Sequence, residues 1–409
     1  MNYKKVLIVA FALIFLFSCG KNDKSPINGE TITFWHFWSE PSQKQAVMEL
    51  IEQFEKENNC IVNTTELSWN DGQVKLFAAF NSNTAPDVLD LGSDWIAQFS
   101  SKDVLQELNG KNFEINKFES NFIEPGKWNN KLYAVPWVVN SRVIFYNKEL
   151  FKKAGLSSDA PKTVDEIYQI AEKINANGNN VYGFGVNGSD PHRLYKKILP
   201  FIWTYGGKLL DSNGIVKLDF PENVKAVEMY KKLSQVGIIE TQKKLDDMFA
   251  RGEIGIWISG SWLIEKIKAI NPFLDYNVAL FPGLTNEAPG ISFAGAEYLA
   301  INKSTNNRVL AEKFVKFMTN GENALKLCKS IKEAGFPADK NYHNNNYFQT
   351  LPFMPIFAEQ LKYSKLTPVH PKWLDIETIL ENAVVEVLYG KKGSYDALSQ
   401  KISDDEVNL

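Results

Sequence analysis

Apolar residues recur along the chain with two alternating spacings, one typical of strands and one typical of helices. A strand-like run at 31–35 leads into a helix that begins near Pro41, since proline fits the first turn of a helix. The apolar positions of this helix repeat every three or four residues: Ala46, Val47, Leu50, Ile51 and Phe54. A β-branched run at 60–67, a helix at 71–82 and a short apolar strand at 88–91 follow.

The same alternation covers most of the remaining chain. It predicts strands at 142–147, 181–186, 254–258, 276–280 and 296–301. It predicts helices at 148–154, 163–177, 191–203, 222–235, 261–270, 307–319 and 322–333, and a mostly helical segment after 351. Strands that alternate with helices are typical of an α/β fold with a largely parallel sheet and helices on both of its faces.

Composition narrows the possible functions. Of the 409 residues, 44% are hydrophobic and 23% charged, which is typical of a globular protein long enough for two or three domains. The net charge of −3 gives no indication of a nucleic-acid partner. Four histidines and three cysteines without metal-ligand spacing predict no metal centre, and no segment indicates a cofactor. The sequence has neither a phosphate-binding loop nor a nucleophile elbow.

The first 18 residues are predicted to be a signal peptide rather than part of the fold. Two lysines precede an uncharged apolar run at 6–17, which is too short to span a bilayer. The run ends in the letters LFSCG, which resemble a bacterial lipobox with Cys19 as the lipid-modified residue. Residues 19–30 are then a polar tether, and we expect a lipid-anchored protein of the cell envelope that faces the periplasm or exterior. The alternative is an ordinary secreted protein in which Cys19 is coincidental.

The other two cysteines, Cys60 and Cys328, lie among apolar or helix-like residues. An oxidising compartment permits a disulfide between them, provided that their Cα atoms lie close enough. The surrounding residues favour two buried free thiols instead.

Tryptophan is concentrated where predicted strands give way to helices. Ten tryptophans are present, and the segments WHFWSE at 35–40, GSDW at 92–95 and SGSW at 259–262 each follow a strand. In open α/β sheets, ligands bind beyond the carboxyl ends of the strands. Aromatic rings cover the apolar faces of a pyranose while polar side chains bond its hydroxyl groups, so the pattern favours a sugar site. Each tryptophan has core packing as its alternative role.

Six longer segments carry a family resemblance. The most specific is KLYAVPW followed closely by VIFYNKELFKKAGL. The other five, in order around it, are ITFWHFWSEPSQKQAVMELIEQFEKEN, APDVLDLGSDWIAQFSSKDVLQELN, APKTVDEIYQIAEKI, IGIWISGSWLIEKI and FAGAEYLAINKSTNNRVLAEKFVKFM. Together they resemble the family 1 extracellular solute-binding proteins, to which maltose-binding protein belongs, over essentially the whole mature chain.

The resemblance implies a two-lobed periplasmic-binding-protein fold of type II, with a hinge formed by segments that cross between the lobes. Crossings are expected near Val135-Pro136, at 293–295 and at 335–337. The implied lobes are 30–136 plus 294–335 and 137–293 plus 336–409. Closure of the lobes around a carbohydrate is then the signal to the membrane permease of an ABC importer, and the protein is expected to be a monomer.

The resemblance also transfers ligand-binding roles to positions that match the family's motifs. These positions fall in strand-to-helix loops, beside the crossings or in a proline-flanked loop: Trp35, His36, Trp38, Glu40, Asp94, Trp95, Trp137, Asn140, Arg142, Trp203, Tyr205, Trp257, Ser259, Trp262, Gly295, Glu297, His370 and Trp373. Some have structural alternatives, such as packing for Trp257, an ion pair within one lobe for Arg142 and helix-end stabilisation for Glu40. Phe37 is expected in the core, and Trp69 and Trp128 at the surface or in packing.

The tryptophan-rich junctions favour a neutral oligosaccharide as ligand. A phosphate-containing ligand needs more cationic groups than Arg142 and His36 supply. Two other functions remain open, namely a receptor that reports sugar to a membrane sensor and a secreted glycan-cleaving enzyme, which needs two carboxylates. No segment resembles a glycosidase motif, so binding without catalysis is the prediction.

Overall fold

The computed structural model describes residues 30–69, 71–178 and 180–399. The predicted signal peptide at 1–18, the lipidation site Cys19 and the tether up to residue 29 lie outside the described residues. Among the helices in the described part, none is long and apolar enough to cross a membrane.

Strands and helices alternate through the described chain much as the apolar pattern predicts. The strands are β1 (Thr31–His36), β2 (Ile61–Glu66), β3 (Val88–Gly92), β4 (Lys127–Trp128), β5 (Lys131–Leu132), β6 (Ala134–Ser141), β7 (Val143–Asn147), β8 (Tyr182–Asn187), β9 (Gly237–Glu240), β10 (Ile254–Ser259), β11 (Tyr276–Ala279), β12 (Ser292–Ile301), β13 (Phe336–Pro337) and β14 (Ser364–Lys365). The helices are α1 (Pro41–Asn58), α2 (Gly72–Asn81), α3 (Ile96–Ser101), α4 (Ser120–Ile123), α5 (Lys148–Lys153), α6 (Val164–Ala176), α7 (Tyr195–Thr204), α8 (Pro221–Gln235), α9 (Gln242–Ala250), α10 (Trp262–Ile270), α11 (Arg308–Met318), α12 (Gly321–Ser330), α13 (Asn346–Thr350), α14 (Met354–Lys362), α15 (Trp373–Leu388) and α16 (Ser394–Leu398).

The strands form two mixed sheets and one small hairpin, β4-β5. The first sheet has the order β13-β6-β12-β3-β1-β2 with β14 beside β12, and β12 runs antiparallel to β3 and β6. The second sheet has the order β11-β7-β10-β8-β9, in which β7 runs antiparallel to β10 and β11. The α/β class is confirmed, but each sheet is mixed rather than largely parallel. Strands β6 and β7 join the two sheets directly, without the crossover helix that parallel pairing requires.

The helices with the clearest sequence signals form as predicted. Helix α1 begins at Pro41 behind a capping box of Glu40 and Gln43, and it buries the five predicted apolar residues. Helix α6 is capped by Thr163, whose Oγ1 accepts the Glu166 N–H at 3.1 Å. A capping box of Thr163 and Glu166 is only half formed, because the Glu166 carboxylate accepts the N–H of Lys162 and not that of Thr163.

The chain changes sheets later than the sequence suggests. All eight residues of β6 are buried, and the strand pairs with β12 in the first sheet as far as Ser141. The next strand starts at Val143 in the second sheet. The change of sheet therefore falls at Arg142 and not at Val135-Pro136, because β-pairing holds the intervening residues in the first sheet.

Residues 336–366, expected in the second lobe, contact both sheets. Strand β13 pairs with β6, and Ser141 Oγ donates to the carbonyl of Phe357 at 2.8 Å. The ring of Phe357 also lies 6.1 Å from that of Phe145 in the second sheet. Only from Trp373 onward does the chain pack into the second core. The segment therefore connects the two halves of the molecule.

The two cysteines of the described chain lie in the first core. Cys60 and Cys328 are free and buried, as the sequence favours. Burial raises the pKa of the Cys328 thiol, so this group is an inert apolar side chain at neutral pH.

Candidate functional site

Loops at the ends of the two sheets meet between them. Asp94, which follows β3, accepts a hydrogen bond of 3.5 Å from the hydroxyl of Tyr195 at the start of α7. The guanidinium of Arg142, at the change of sheet, lies 4.6 Å from the ring centre of Trp262, the first residue of α10. Groups of both halves thus line one region, and this region contains most of the predicted site residues.

Three aromatic rings form a cluster on the side of the first sheet. Phe37 stacks on Trp69 with ring centres 4.0 Å apart, and Trp95 lies within 5.5 Å of both. Trp95 is a predicted site residue, whereas Trp69 is not. Trp69 lies three residues beyond the end of β2, and 44% of its surface is exposed. The cluster offers a partly exposed indole beside the predicted site.

A buried carboxylate organises the side of the second sheet. Asp246, in the middle of α9, accepts hydrogen bonds from Trp257 Nε1 at 2.7 Å, Ser259 Oγ at 2.9 Å and Trp262 Nε1 at 3.0 Å. Trp257 and Ser259 are fully buried, so they lie behind Trp262. A Cβ at Gly260 would overlap the folded-back ring of Trp262, so only glycine fits there. No local signal in the sequence points to Asp246, because only the fold brings its helix to these residues.

Arg142 lies between two aromatic rings. Its guanidinium lies 4.6 Å from the ring of Trp262 and 5.5 Å from that of Phe293, and Nη1 has no hydrogen-bond partner within the described residues. Burial lowers the pKa of Arg142 to about 10, so the group is charged at neutral pH. The ion pair within one lobe, proposed as its alternative role, is not among the ion pairs of the described chain.

Asn140 joins the two halves beside Arg142. Its Nδ2 donates to Ser261 Oγ at 3.0 Å and to the carbonyl of Glu333 at 3.2 Å, while its Oδ1 has no partner among the described groups. Asn140 also lies opposite Gly295 in the pairing of β6 with β12. Three predicted site residues, Asn140, Arg142 and Gly295, are therefore neighbours.

Two lysines without a local sequence signal for a site lie in the same region. Lys197 is fully buried, donates from Nζ to the carbonyl of Ile258 at 2.7 Å and lies 4.5 Å from the ring centre of Trp257. Lys196 lies 5.2 Å from the ring centre of Tyr195. Burial lowers the pKa of both lysines, and the neighbouring Arg142 charge lowers it further.

Two carboxyl groups adjoin on the first sheet. Asp90 of β3 is fully buried, the partly buried Glu297 of β12 contacts it, and Phe37 N–H donates to Asp90 Oδ2 at 3.3 Å. Burial raises the pKa of both carboxyls, and the Asp90 charge raises that of Glu297 further, so at least one proton stays on the pair near neutral pH. Trp38 adjoins Glu297, and its ring meets that of Trp137 edge-on at 6.5 Å.

A second acidic cluster lies beneath Tyr195. His192 Nδ1 lies 2.5 Å from the Glu377 carboxylate, and Glu381 accepts the backbone N–H groups of His192 and Tyr195. Burial raises the pKa of Glu377 to about 7. Trp373 packs edge-on against Tyr195 with ring centres 5.5 Å apart, next to His370, whose Nδ1 accepts the N–H of Lys372.

The remaining predicted residues have more local contacts. Trp203 stacks parallel to Phe293 with ring centres 6.3 Å apart, and Tyr205 packs beside the second core. His36 is fully buried, and Trp35 packs against the first core. Glu40 is exposed and caps α1, the alternative that the sequence left open.

Two surface hollows of about 390 and 380 Å³ lie elsewhere, lined respectively by Leu150, Lys153 and Ile174, and by Leu50, Gln53 and Lys326, among others. Neither includes a predicted site residue. Within the described residues, no group of three or more His, Cys, Asp or Glu side chains is placed to hold a metal ion.

Two mixed sheets, joined by direct crossings and meeting through aromatic and polar side chains at their strand ends, define a two-lobed α/β binding protein. The model of the family described as bacterial extracellular solute-binding protein matches residues 38–324. The chain belongs to this family, as the six sequence segments indicated.

Several relatives and solved structures match most of the chain. A putative binding protein of Brucella abortus is 27% identical over 363 residues, which cover 86% of each chain. The galactooligosaccharide-binding protein of Bacillus subtilis is 25% identical over 408 residues, covering 96% of this chain and 94% of its own. The crystal structure of an ABC transporter solute-binding protein of Thermotoga lettingae bound with α-D-tagatose is 26% identical, with a TM-score of 0.77, covering 90% of this chain and 97% of that one.

Proposed function

We propose that this protein binds an oligosaccharide between its two lobes and delivers it to an ABC importer. The observation that carries the proposal is the meeting of Arg142 and Asn140 with Trp262 and Ser261 across the two halves. Family membership and the sugar-binding relatives support it. Binding, and not catalysis, is the proposed role of the carboxyl groups Asp94, Asp90 and Glu297.

The chemistry of the site suits a sugar. An indole ring that covers 50–100 Å² of a pyranose contributes roughly 1–2.5 kcal/mol at about 25 cal/mol per Å². Each hydrogen bond to a hydroxyl group adds about 1 kcal/mol. Micromolar binding requires about −8 kcal/mol, so two or three rings and several hydrogen bonds suffice before the cost of association. Trp262 and Trp69 are two partly exposed indoles of this region, and they are proposed to stack on the ligand.

Lobe closure is the proposed signal to the transporter. One lobe would contain most of 30–141 and 294–335, and the other most of 143–292 and the chain from Trp373 onward. Most of the other predicted site residues are buried, so the ligand enters only when the lobes separate. The closed form would then dock as a monomer on the membrane permease.

The envelope location completes the proposal. After removal of residues 1–18, Cys19 would carry the lipid anchor and residues 19–30 would hold the lobes away from the membrane. This arrangement keeps the binding protein near its permease without a membrane-spanning helix.

Thermal unfolding of the detergent-solubilised mature protein against a panel of mono- and oligosaccharides tests the proposal. A ligand at a hundredfold excess over its Kd stabilises the folded state by about 2.7 kcal/mol. We expect at least one oligosaccharide to raise the unfolding temperature, with the increase lost in Trp262→Ala and kept in Trp128→Ala, a tryptophan of the β4-β5 hairpin. A panel without any shift, or equal losses in both variants, contradicts the proposal.

A further inference from the structure

We propose that the bound oligosaccharide carries a carboxylate, as a uronic acid does, and that Arg142 binds this group. The inference rests on the proposed function and specifies its ligand class. It departs from the neutral sugar favoured by the sequence, because the charges around Arg142 are visible only in the fold.

Arg142 is held rigidly at the change of sheet. Its backbone N–H donates to the carbonyl of Phe293 at 3.1 Å, and its own carbonyl accepts Ser292 Oγ at 2.7 Å. Trp262 and Phe293 lie against the guanidinium, and only 9% of the surface of Arg142 is exposed. A guanidinium packed on aromatic rings presents its N–H edge to a partner, and a planar carboxylate fits that edge with two parallel hydrogen bonds.

No described carboxylate occupies this edge. The acids near Arg142 and its neighbours already have other partners. The oxygens of Asp246 accept three hydrogen bonds. Asp94 contacts Tyr195 and Lys196, and Glu377 contacts His192. Nη1 of Arg142 is left without a partner among the described residues. A buried cation without a counter-ion is unfavourable, so an anionic ligand group relieves a cost that a hydroxyl group leaves in place.

The neighbouring basic side chains leave Arg142 as the charge of this region. Lys197 Nζ is bound to the carbonyl of Ile258 and not to a carboxylate. Burial, followed by the charge of Arg142, lowers the pKa of Lys197 well below its usual range, which disfavours its charged form. His36 does not contribute, since burial lowers its pKa to about 4 and keeps it neutral. A single guanidinium charge suits a singly charged carboxylate better than a phosphate dianion.

A glycine and an unpartnered acceptor adjoin the guanidinium of Arg142. A Cβ at Gly295 would lie 3.4 Å from Nη2 and 3.6 Å from Nη1, so glycine keeps this side of the guanidinium uncovered. Asn140 Oδ1, next to Gly295, is an acceptor without a partner in the described chain. A donor edge beside a free acceptor matches a uronate, whose carboxylate accepts while its adjacent hydroxyl group donates.

Calorimetric titration with matched oligosaccharides tests the inference. Oligouronates of several linkages are compared with their carboxyl-reduced forms, which differ only by a hydroxymethyl group in place of each carboxylate. We expect at least one oligouronate to bind at least a hundredfold more tightly than its reduced form. If neutral oligosaccharides bind and no oligouronate binds more tightly, the inference is overturned while the proposed function stands. If no oligosaccharide of either kind binds, both fail.

Two variants separate a ligand-binding arginine from a structural one. Arg142→Gln is expected to remove the preference for the acidic ligand while the unfolding temperature of the unliganded protein stays the same or rises, because an unpaired buried charge is lost. Arg142→Lys is expected to retain part of the preference. Arg193→Gln is the control, since this nearby cation is more exposed and lies 4.0 Å from Asp190. An unliganded Arg142→Gln protein that is clearly less stable, with its acidic preference intact, overturns the inference.

Discussion

His36 is a histidine kept neutral by its surroundings. The side chain is fully buried, its ring centre lies 5.2 Å from that of Phe34, and neither ring nitrogen has a hydrogen-bond partner within the described residues. Burial lowers its pKa to about 4, and the nearby Glu66 charge only partly opposes this shift. The folded state therefore excludes the proton that the unfolded chain binds below about pH 6.5.

This shift predicts a loss of stability in mild acid. Because the folded-state pKa is lower than the unfolded one, the contribution of His36 is complete above pH 6.5 and declines as the pH falls toward 4. At pH 4.5 the loss from this residue is about 2–3 kcal/mol, from a shift worth about 1.4 kcal/mol per pH unit. Urea unfolding at pH 7 and 4.5 measures the free energy of unfolding at each pH. The difference between the two values is expected to be smaller in His36→Gln than in the unmodified protein. Equal differences in the two proteins would contradict the lowered pKa of His36.

Three tryptophans that follow strands show how far the sequence identified site residues. Trp69, Trp95 and Trp262 each lie three residues beyond the end of a strand. Trp95 and Trp262 were predicted from the segments GSDW and SGSW, whereas Trp69 was assigned to the surface or to packing, although it is a partly exposed member of the same aromatic cluster as Trp95. Asp246 and Lys197 lie inside helices and carry no local signal, because their roles arise from packing against other elements.

At the level of elements, Asp246 connects α9 to β10 and α10. Two of its three hydrogen bonds come from β10, and the third orients Trp262, whose ring in turn packs against Arg142. An amide in its place has one acceptor oxygen for three donors, so at least one buried N–H or O–H loses its partner.

Asp246→Asn is therefore expected to lower the free energy of unfolding by about 1–3 kcal/mol and to weaken ligand binding. Denaturant unfolding and titration with the ligand measure the two effects. Asp247→Asn is the matched control: its partner Lys266 is at 2.7 Å in a partly exposed pair, so its effect is expected to stay below about 1 kcal/mol. Equal effects of the two substitutions would exclude the organising role of Asp246.

Elements with local end signals were predicted well, and those defined by tertiary pairing were not. Helices α1 and α6 have caps and a single buried face, which fix their positions in the sequence. Strand β6 is buried along its whole length and contains Pro136, so it shows no alternation and looks unlike a strand. The proline is tolerated because the pairing with β12 shifts register opposite it, where its missing N–H is not needed.

At the level of the whole molecule, one ion pair at the rim joins the two halves. Lys332, between α12 and β13, contacts Glu265 of α10 at 3.2 Å, and both side chains are partly exposed. Exposed pairs contribute about 0–1 kcal/mol and are screened by salt. The pair therefore favours the closed arrangement only slightly.

Lys332→Gln is expected to weaken ligand binding by up to about fivefold at low salt, because it removes at most about 1 kcal/mol from the closed form. The difference is expected to vanish at high salt. Lys362→Gln, which breaks a pair with Glu359 inside α14, should leave binding unchanged at any salt concentration. Titration calorimetry at two ionic strengths compares the ligand affinities of the two variants. A loss of affinity in Lys332→Gln that does not depend on salt would contradict the electrostatic explanation.

The contacts between the halves also bear on the energy consumption of the importer. The Tyr195–Asp94 hydrogen bond, the Asn140–Ser261 hydrogen bond and the rim ion pair all join protein groups to each other, so they hold the halves together whether or not sugar is bound. A permease that responds to the closed shape would then hydrolyse ATP without cargo. The Tyr195–Asp94 bond is long and the ion pair is partly exposed, so we expect these two contacts to hold the halves together only weakly and idle hydrolysis to stay low compared with the sugar-driven rate.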